Sequence, residues 1–218
     1  MVFSTACASR EGSYILSCMP APAALGFRLH TGWAVLVAVA GKPGNLEVLL
    51  RQRIELALPG NSASRFVYHE AAKLAMPQAA KSIAQAEAAS LEMTRNAIEI
   101  ALAYLRDLGH PAESAGISAG SKPVPNDLSK VLGSHPLLHT AEAALYRQVV
   151  TSACERRGLT VISVRERKVW MEAATAWGAK EPQLRKQIDG LRKSVGAPWA
   201  TDQKTAMAFA LLALRQNR

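Results

Sequence analysis

The sequence lacks the motifs of several common functional classes. It has three cysteines in 218 residues, and none has the spacing of a zinc ligand pair or a redox pair. It has no phosphate-binding glycine loop, no dinucleotide fingerprint and no hydrolase nucleophile elbow. Aromatic residues make up 6% of the chain, so stacking platforms for single-stranded nucleic acid are scarce. The cysteine pattern excludes a disulfide framework and favours a reducing compartment, with the cytoplasm as the expected location.

Long hydrophobic runs are also missing. The longest candidate, residues 32–41, has the length of a buried strand and is too short to cross a bilayer. Near the amino terminus, Glu11, Pro20 and Pro22 interrupt the pattern of a secretory leader. We therefore expect a flexible extension over residues 1–24, a single domain over residues 25–218, and no membrane association.

Positive charge is in excess and is unevenly distributed. The formal net charge is +9, and residues 155–218 contain thirteen Lys and Arg against six Asp and Glu. A basic segment of this kind favours an anionic partner, such as nucleic acid or another phosphate ligand. A regulatory or structural protein that docks on an acidic partner would have the same charge, and so would a basic protein with no polyanionic partner.

Hydrophobic periodicity predicts the order of the secondary structure elements. Residues 27–41 are typical of one buried strand, and residues 46–58 alternate as a second strand paired antiparallel to it. Residues 65–69 are interpreted as a short third strand or a loop. Later elements alternate between helix and strand: a helix from about residue 78 to 108, a strand at 112–121, a helix at 135–157, a strand at 159–167 and a final helix after 201. This order predicts an α/β protein with a mixed sheet and helices on both faces.

Two features connect this order to a known fold. The first strand contains the glycine-bearing segment "HTGWAVLVAVAG", and Asp202 stands at the start of the last helix in "PWATDQKTAMAFALLAL". The order over residues 26–218 resembles the ribonuclease H-like fold, and within it the layout of Holliday-junction resolvases. Those two segments and "SHPLLHTAEAALYR" are also similar to a group of uncharacterised bacterial proteins.

The resemblance implies a site with an altered set of ligands. Nucleases of this fold hold two divalent ions about 4 Å apart with carboxylates on the first strand, near the end of the fourth strand and on the last helix. Here Asp202 fills the last of these positions. The first strand offers His30, Thr31, Gly32 and Trp33, and the later strand offers Ser118 and Ser121, none of which is acidic. The resemblance therefore implies a member of the fold without two-metal nuclease activity.

A group of polar residues near residue 140 is the strongest candidate for chemistry. His135, His139 and Glu142 have the spacing i, i+4 and i+7, which places them on one face of a helix. Such a face suits an acid/base pair or a divalent metal site, although residues that cap a helix or face solvent give the same pattern. His69 and Asp202 complete the predicted catalytic set with His139 and Glu142. A metal, if one binds, is expected on His135, His139, Glu142 and Asp202.

Basic and aromatic residues supply a second candidate set, for binding nucleic acid or another anion. Arg51 and Arg53 share a face of the second strand, and Arg147 lies about 140° around its helix from Glu142. The complete set is Arg51, Arg53, Arg147, Arg165, Trp199 and Lys204. We expect the protein to bind nucleic acid or another phosphate ligand without two-metal cleavage. The alternatives are a hydrolase or nuclease built on His and Glu, with or without a metal, and a protein that docks on an acidic partner.

Overall fold

The computed structural model describes residues 21–216 and contains one mixed sheet flanked by helices. The strands are β1 (Ala23–His30), β2 (Trp33–Lys42), β3 (Asn45–Glu55), β4 (Ala112–Ser118) and β5 (Thr160–Val164). The helices are α1 (Ser62–Arg65), α2 (Val67–Ala71), α3 (Met76–Asp107), α4 (Leu128–Leu132), α5 (His135–Glu155), α6 (Glu166–Ala176), α7 (Glu181–Gly190), α8 (Arg192–Val195) and α9 (Thr201–Gln216). Within these residues, no helix has the length and apolar character needed to cross a membrane.

The five strands lie in the order β3-β2-β1-β4-β5. β1, β2 and β3 form an antiparallel meander, whereas β4 and β5 run parallel to β1. Parallel neighbours need crossover connections, and α3 and α5 supply them. The predicted mixed sheet with alternating helices and strands is therefore confirmed. Its parallel part places the carboxyl ends of β1, β4 and β5 at one edge.

The predicted single strand over residues 27–41 is wrong, because two strands occupy this region. β1 begins at Ala23, inside the predicted extension, and its residue His30 pairs with Trp33 at the start of β2. Thr31 and Gly32 form the two-residue turn, and Gly32 has a φ of 80°, which glycine adopts without a steric penalty. The antiparallel partner of β3 is therefore β2. The rest of the predicted extension, residues 1–20, lies outside the described residues.

The segment predicted as a third strand or a loop is helical. Residues 65–69 lie in α1 and α2, two short helices joined at Phe66. The buried Glu142 carboxylate accepts hydrogen bonds from the backbone N–H groups of Tyr68 and His69, at 3.1 and 3.3 Å. The hydroxyl of Tyr146 donates to the carbonyls of Ser64 and Arg65. These long-range contacts from α5 fix a conformation that the local β-rich composition does not favour.

Two cores lie on opposite faces of the sheet. α3 and α5 cover one face, where Phe27, Leu36 and Ile98 are fully buried. α6, α7 and α9 cover the other, and every residue of α9 from Thr205 to Leu214 is buried. The β5 strand is shorter than predicted, because α6 begins at Glu166. Helices on both faces of the sheet are thus confirmed.

Cys154 is buried in the first core, and we expect it to be unreactive in the folded protein. Burial raises the pKa of its thiol to about 12, so almost none is present as the reactive thiolate near neutral pH. A variant with Cys7→Ser and Cys18→Ser keeps Cys154 as its one thiol. Its reaction with an aromatic disulfide reagent should be slow under native conditions and fast in guanidinium chloride. Rapid modification of the folded variant would contradict the burial of Cys154.

Candidate anion-binding cleft and histidine cluster

A cleft of about 490 Å³ opens at the sheet edge where β1, β4 and β5 end. Ligands commonly bind at this edge of α/β sheets, because the loops that leave the strands diverge there. We call it the edge cleft, and it is lined by Leu29, His30, Thr31, Ser118, Ala119, Ser121, Ala143, Tyr146, Arg147, Arg165, Glu166 and Arg167. Three arginines and one glutamate make the lining strongly basic.

Arg147 projects into the edge cleft from α5. Its side chain is half-buried, and loss of solvent lowers the pKa of the guanidinium from its ordinary value. The guanidinium packs against Gly120, where an added Cβ atom would lie 3.0 Å from Nη2. Among residues 21–216, its nitrogen atoms form no hydrogen bond and no ion pair. A cation that has lost part of its hydration normally has such a partner.

Arg165 and Arg167 also line the cleft, at the start of α6. Both side chains are exposed, and within the part of the chain that the structure describes neither forms an ion pair. Glu166, between them, is paired with Arg28, whose Nη1 lies 3.0 Å from its Oε2. The single acidic residue of the lining is therefore already neutralised, and three arginines remain for an external anion.

Asp202 lies beside the cleft and is held by two basic residues of β1. His30 Nε2 is 3.0 Å from Asp202 Oδ2, and Arg28 Nε is 3.9 Å from Oδ1. The His30 ring also stacks on Trp33, with centroids 3.9 Å apart, and Arg53 covers Trp33 at 4.0 Å. Asp202, which was predicted as a catalytic and metal-binding residue, thus belongs to a charge-compensated group at the start of α9.

The other residues of the predicted anion-binding set make contacts within the protein. Arg51 donates hydrogen bonds to the carbonyls of residues 196–198, and Arg53 pairs with Glu55 at 2.5 Å. Lys204 pairs with Asp189 at 2.7 Å. Trp199 is 5% exposed, and its indole N–H donates to the carbonyl of Ile188. The structure therefore brings Arg147 and Arg165 together in the edge cleft and places the other four elsewhere.

Three histidines form a separate cluster between α2 and α5. Ring centroids are 4.6 Å apart for His69 and His139, 4.6 Å for His135 and His139, and 5.5 Å for His69 and His135. One nitrogen atom from each ring lies within 4.8 Å of the other two. His135 and His139 are exposed, and His69 is partly buried. We call this group the histidine cluster.

Glu142 contacts the histidine cluster through His69. Its carboxylate is 3% exposed, and Oε1 lies 2.9 Å from His69 Nδ1. The structure thus brings His69, His139 and Glu142 together, and their joint action stays a prediction. Asp202 was predicted to belong to the same set, but its ion pairs are with Arg28 and His30 of β1.

Comparison with known proteins identifies the fold. No protein-family model matches the chain, and no curated protein matches it. The RuvC protein of Thermus thermophilus in complex with Holliday junction substrate superposes with a TM-score of 0.50 over 88% of this chain and 91% of that chain, at 13% identity. The chain has the ribonuclease H-like fold. A second Thermus thermophilus RuvC structure matches with a TM-score of 0.49 and 15% identity, over 87% of this chain and 92% of that chain.

The ribonuclease H-like fold implies two divalent ions held by carboxylates, and the residues present do not fit this group. The fold expects an acidic residue on the first strand. The polar residues of β1 are instead Arg28 and His30, and both contact Asp202. Ser118 and Ser121 line the cleft near the end of β4. Asp202 is paired with Arg28 and His30, and Glu166, the other carboxylate at this edge, is paired with Arg28. These two compensated acids cannot supply the negative charge that a pair of Mg²⁺ ions needs. The edge cleft instead favours an anion.

Sequence reasoning missed Arg167 and Arg28 as parts of this site, and it named His30 only as a non-acidic residue of the first strand. A usable signal was present: the segment "RERK" at 165–168 directly follows β5, and ligands bind at the carboxyl ends of parallel strands. The pairing of Arg28 and His30 with Asp202 had no such signal. It joins residues 172 or more positions apart along the chain.

Proposed function

We propose that the protein binds the phosphate backbone of nucleic acid in the edge cleft, without two-metal cleavage. The observation that carries this proposal is Arg147, a half-buried guanidinium with no partner among the described residues. A phosphate oxygen accepts charge-assisted hydrogen bonds from the planar guanidinium and restores the interactions lost on burial.

The rest of the cleft suits the same ligand. Arg165 and Arg167 line the same cavity as Arg147, and the hydroxyls of Ser118, Ser121 and Thr31 offer neutral donors. Contacts of this kind position a nucleic acid without reading its sequence. The RuvC protein that shares this fold is described in complex with Holliday junction substrate, which supports nucleic acid as the class of ligand. The basic segment from residue 155 onwards would add attraction at longer range.

The variant Arg147→Ala tests the proposal. Hydrogen bonds to charged groups contribute about 1.5–3 kcal/mol, so the variant should bind a four-way DNA junction or a duplex about 10- to 100-fold more weakly. The slope of log K against log salt concentration should also become shallower by about one, because one phosphate contact is lost. Fluorescence anisotropy at several salt concentrations measures both quantities.

Arg95→Ala is the matched control, since it removes the same charge from an exposed site on α3 that pairs with Glu92. It should leave both the affinity and the salt slope close to wild type. Equal effects of the two variants would reject the edge cleft as the binding site. Failure of the wild-type protein to bind DNA or RNA at low salt would reject the proposed function. If the protein cleaves the bound junction in the presence of Mg²⁺, the proposal that it lacks two-metal chemistry is wrong.

A further inference from the structure

We propose that the histidine cluster binds one Zn²⁺ ion through His69, His135 and His139. The three imidazoles converge from two elements, α2 and α5, that are not adjacent in the chain. Surface histidines seldom converge in this way, because protonated imidazoles do not stabilise one another. This site is distinct from the edge cleft and does not depend on nucleic-acid binding.

The three histidine nitrogen atoms would have to move only slightly closer together to bind one ion. Zinc–nitrogen bonds of 2.0–2.1 Å in a tetrahedral site place ligand atoms about 3.3 Å apart. The three nitrogen atoms of the cluster are already within 4.8 Å of one another. His135 and His139 are exposed on consecutive turns of α5, so rotation about their side-chain bonds can bring them to a common ion.

Glu142 orients His69, the third ligand of the proposed site. Its Oε1 lies 2.9 Å from His69 Nδ1, and the tautomer of His69 that donates to this carboxylate through Nδ1 has its lone pair on Nε2. Metal-binding histidines almost always donate their second nitrogen to such a partner, which orients the ring and raises its basicity. The backbone N–H groups of Tyr68 and His69 hold the same carboxylate in place. Glu142 is therefore a positioning residue, not a ligand.

The donor set selects the class of metal. Three neutral imidazoles suit zinc and its first-row neighbours, whereas Mg²⁺ and Ca²⁺ prefer oxygen ligands. Two of the three rings are exposed, so the fourth tetrahedral position faces solvent and would hold a water molecule or a small anion. Three protein ligands with one open position are typical of zinc sites that act on a substrate, whereas structural sites use four protein ligands.

Calorimetric titration of the full-length protein without an affinity tag tests the proposal. Wild-type protein should bind one equivalent of Zn²⁺ and should give no heat with Mg²⁺. Co²⁺ in the same site should show the intense visible absorption of a tetrahedral complex. His135→Ala and His139→Ala each remove an exposed ligand without disturbing a buried contact, and each should abolish the stoichiometric binding and the cobalt spectrum.

His110→Gln is the matched control, because His110 lies outside the cluster and bonds to the carbonyl of Ala21. It should bind Zn²⁺ as wild type does. Glu142→Gln keeps the size and one acceptor oxygen, and should weaken Zn²⁺ binding about 10- to 100-fold. Unchanged stoichiometry and affinity in His135→Ala and His139→Ala would overturn the proposal, as would absence of Zn²⁺ binding to the wild-type protein.

Thermal unfolding gives an independent readout. An ion that joins α2 to α5 binds the folded state alone, so the midpoint of unfolding should rise with Zn²⁺ concentration. The rise should disappear in His139→Ala and persist in Arg147→Ala, whose change lies in the edge cleft. A Zn²⁺ effect lost in Arg147→Ala and retained in His139→Ala would place the metal outside the histidine cluster.

Discussion

Gly26→Ala should cost the protein about 3 kcal/mol or more of its free energy of unfolding. A Cβ atom at Gly26 would lie 1.9 Å from the carbonyl oxygen of Ala206 and 2.4 Å from the backbone nitrogen of Ala210. These are backbone atoms of α9, and no side-chain rotation can relieve the overlap. α9 would have to move away from β1 and lose packing along a helix that is buried on all sides. Because small domains are stable by only about 5–15 kcal/mol, much of the margin would be lost.

Urea unfolding followed by circular dichroism measures this effect. Gly190→Ala is the matched control, since no atom lies within 4 Å of a Cβ at this position in α7. Alanine there should be neutral or should stabilise by up to about 1 kcal/mol through its helix propensity. Similar unfolding midpoints for Gly26→Ala and the wild-type protein would show that α9 does not approach β1 as described.

Simultaneous replacement of Arg147, Arg165 and Arg167 by alanine should reduce nucleic-acid affinity by about a thousandfold. Each lost phosphate contact is expected to cost about tenfold or more, and the three arginines face one cavity. The slope of log K against log salt should fall by about 2.7, because each neutralised phosphate contributes about 0.9 on duplex DNA. The fold should persist, since none of the three forms an ion pair among the described residues.

The control removes the same number of charges elsewhere on the surface. Arg95, Arg157 and Arg185 each pair with a glutamate, on α3, at the end of α5 and on α7. Their joint replacement by alanine should change affinity only through the general field of the protein, which salt screens. If both triple variants lose affinity equally, then net charge, not the edge cleft, governs binding.

The order of the elements could be predicted from the sequence, because strand and helix periods differ and long elements repeat them several times. The hairpin between β1 and β2 was missed, since Thr31 and Gly32 make a turn of two residues inside an otherwise apolar run. α1 and α2 could not be predicted either. Their conformation depends on Glu142 and Tyr146, which lie more than seventy positions further along the chain.

The histidine cluster was predictable in part. The spacing of His135, His139 and Glu142 placed them on one helix face, and the structure shows Glu142 turned into the protein to meet His69. His69 was already among the predicted residues, but its contact with Glu142 is a property of tertiary packing, which spacing along one helix cannot establish. Trp199 shows the opposite case, because it was placed in the set for binding nucleic acid or another anion and is instead buried.

The position of α9 in the chain has a consequence for synthesis of the protein. α9 covers one face of β1, β2 and β4, and it follows all three in sequence. While the ribosome makes the chain, Val35, Val37 and Val39 on β2 therefore remain without their packing partner until α9 has emerged. The α3 and α5 side of the sheet can form first, whereas the other side is an exposed apolar surface of the kind that chaperones bind. Nascent chains arrested before Thr201 should accordingly be prone to aggregation.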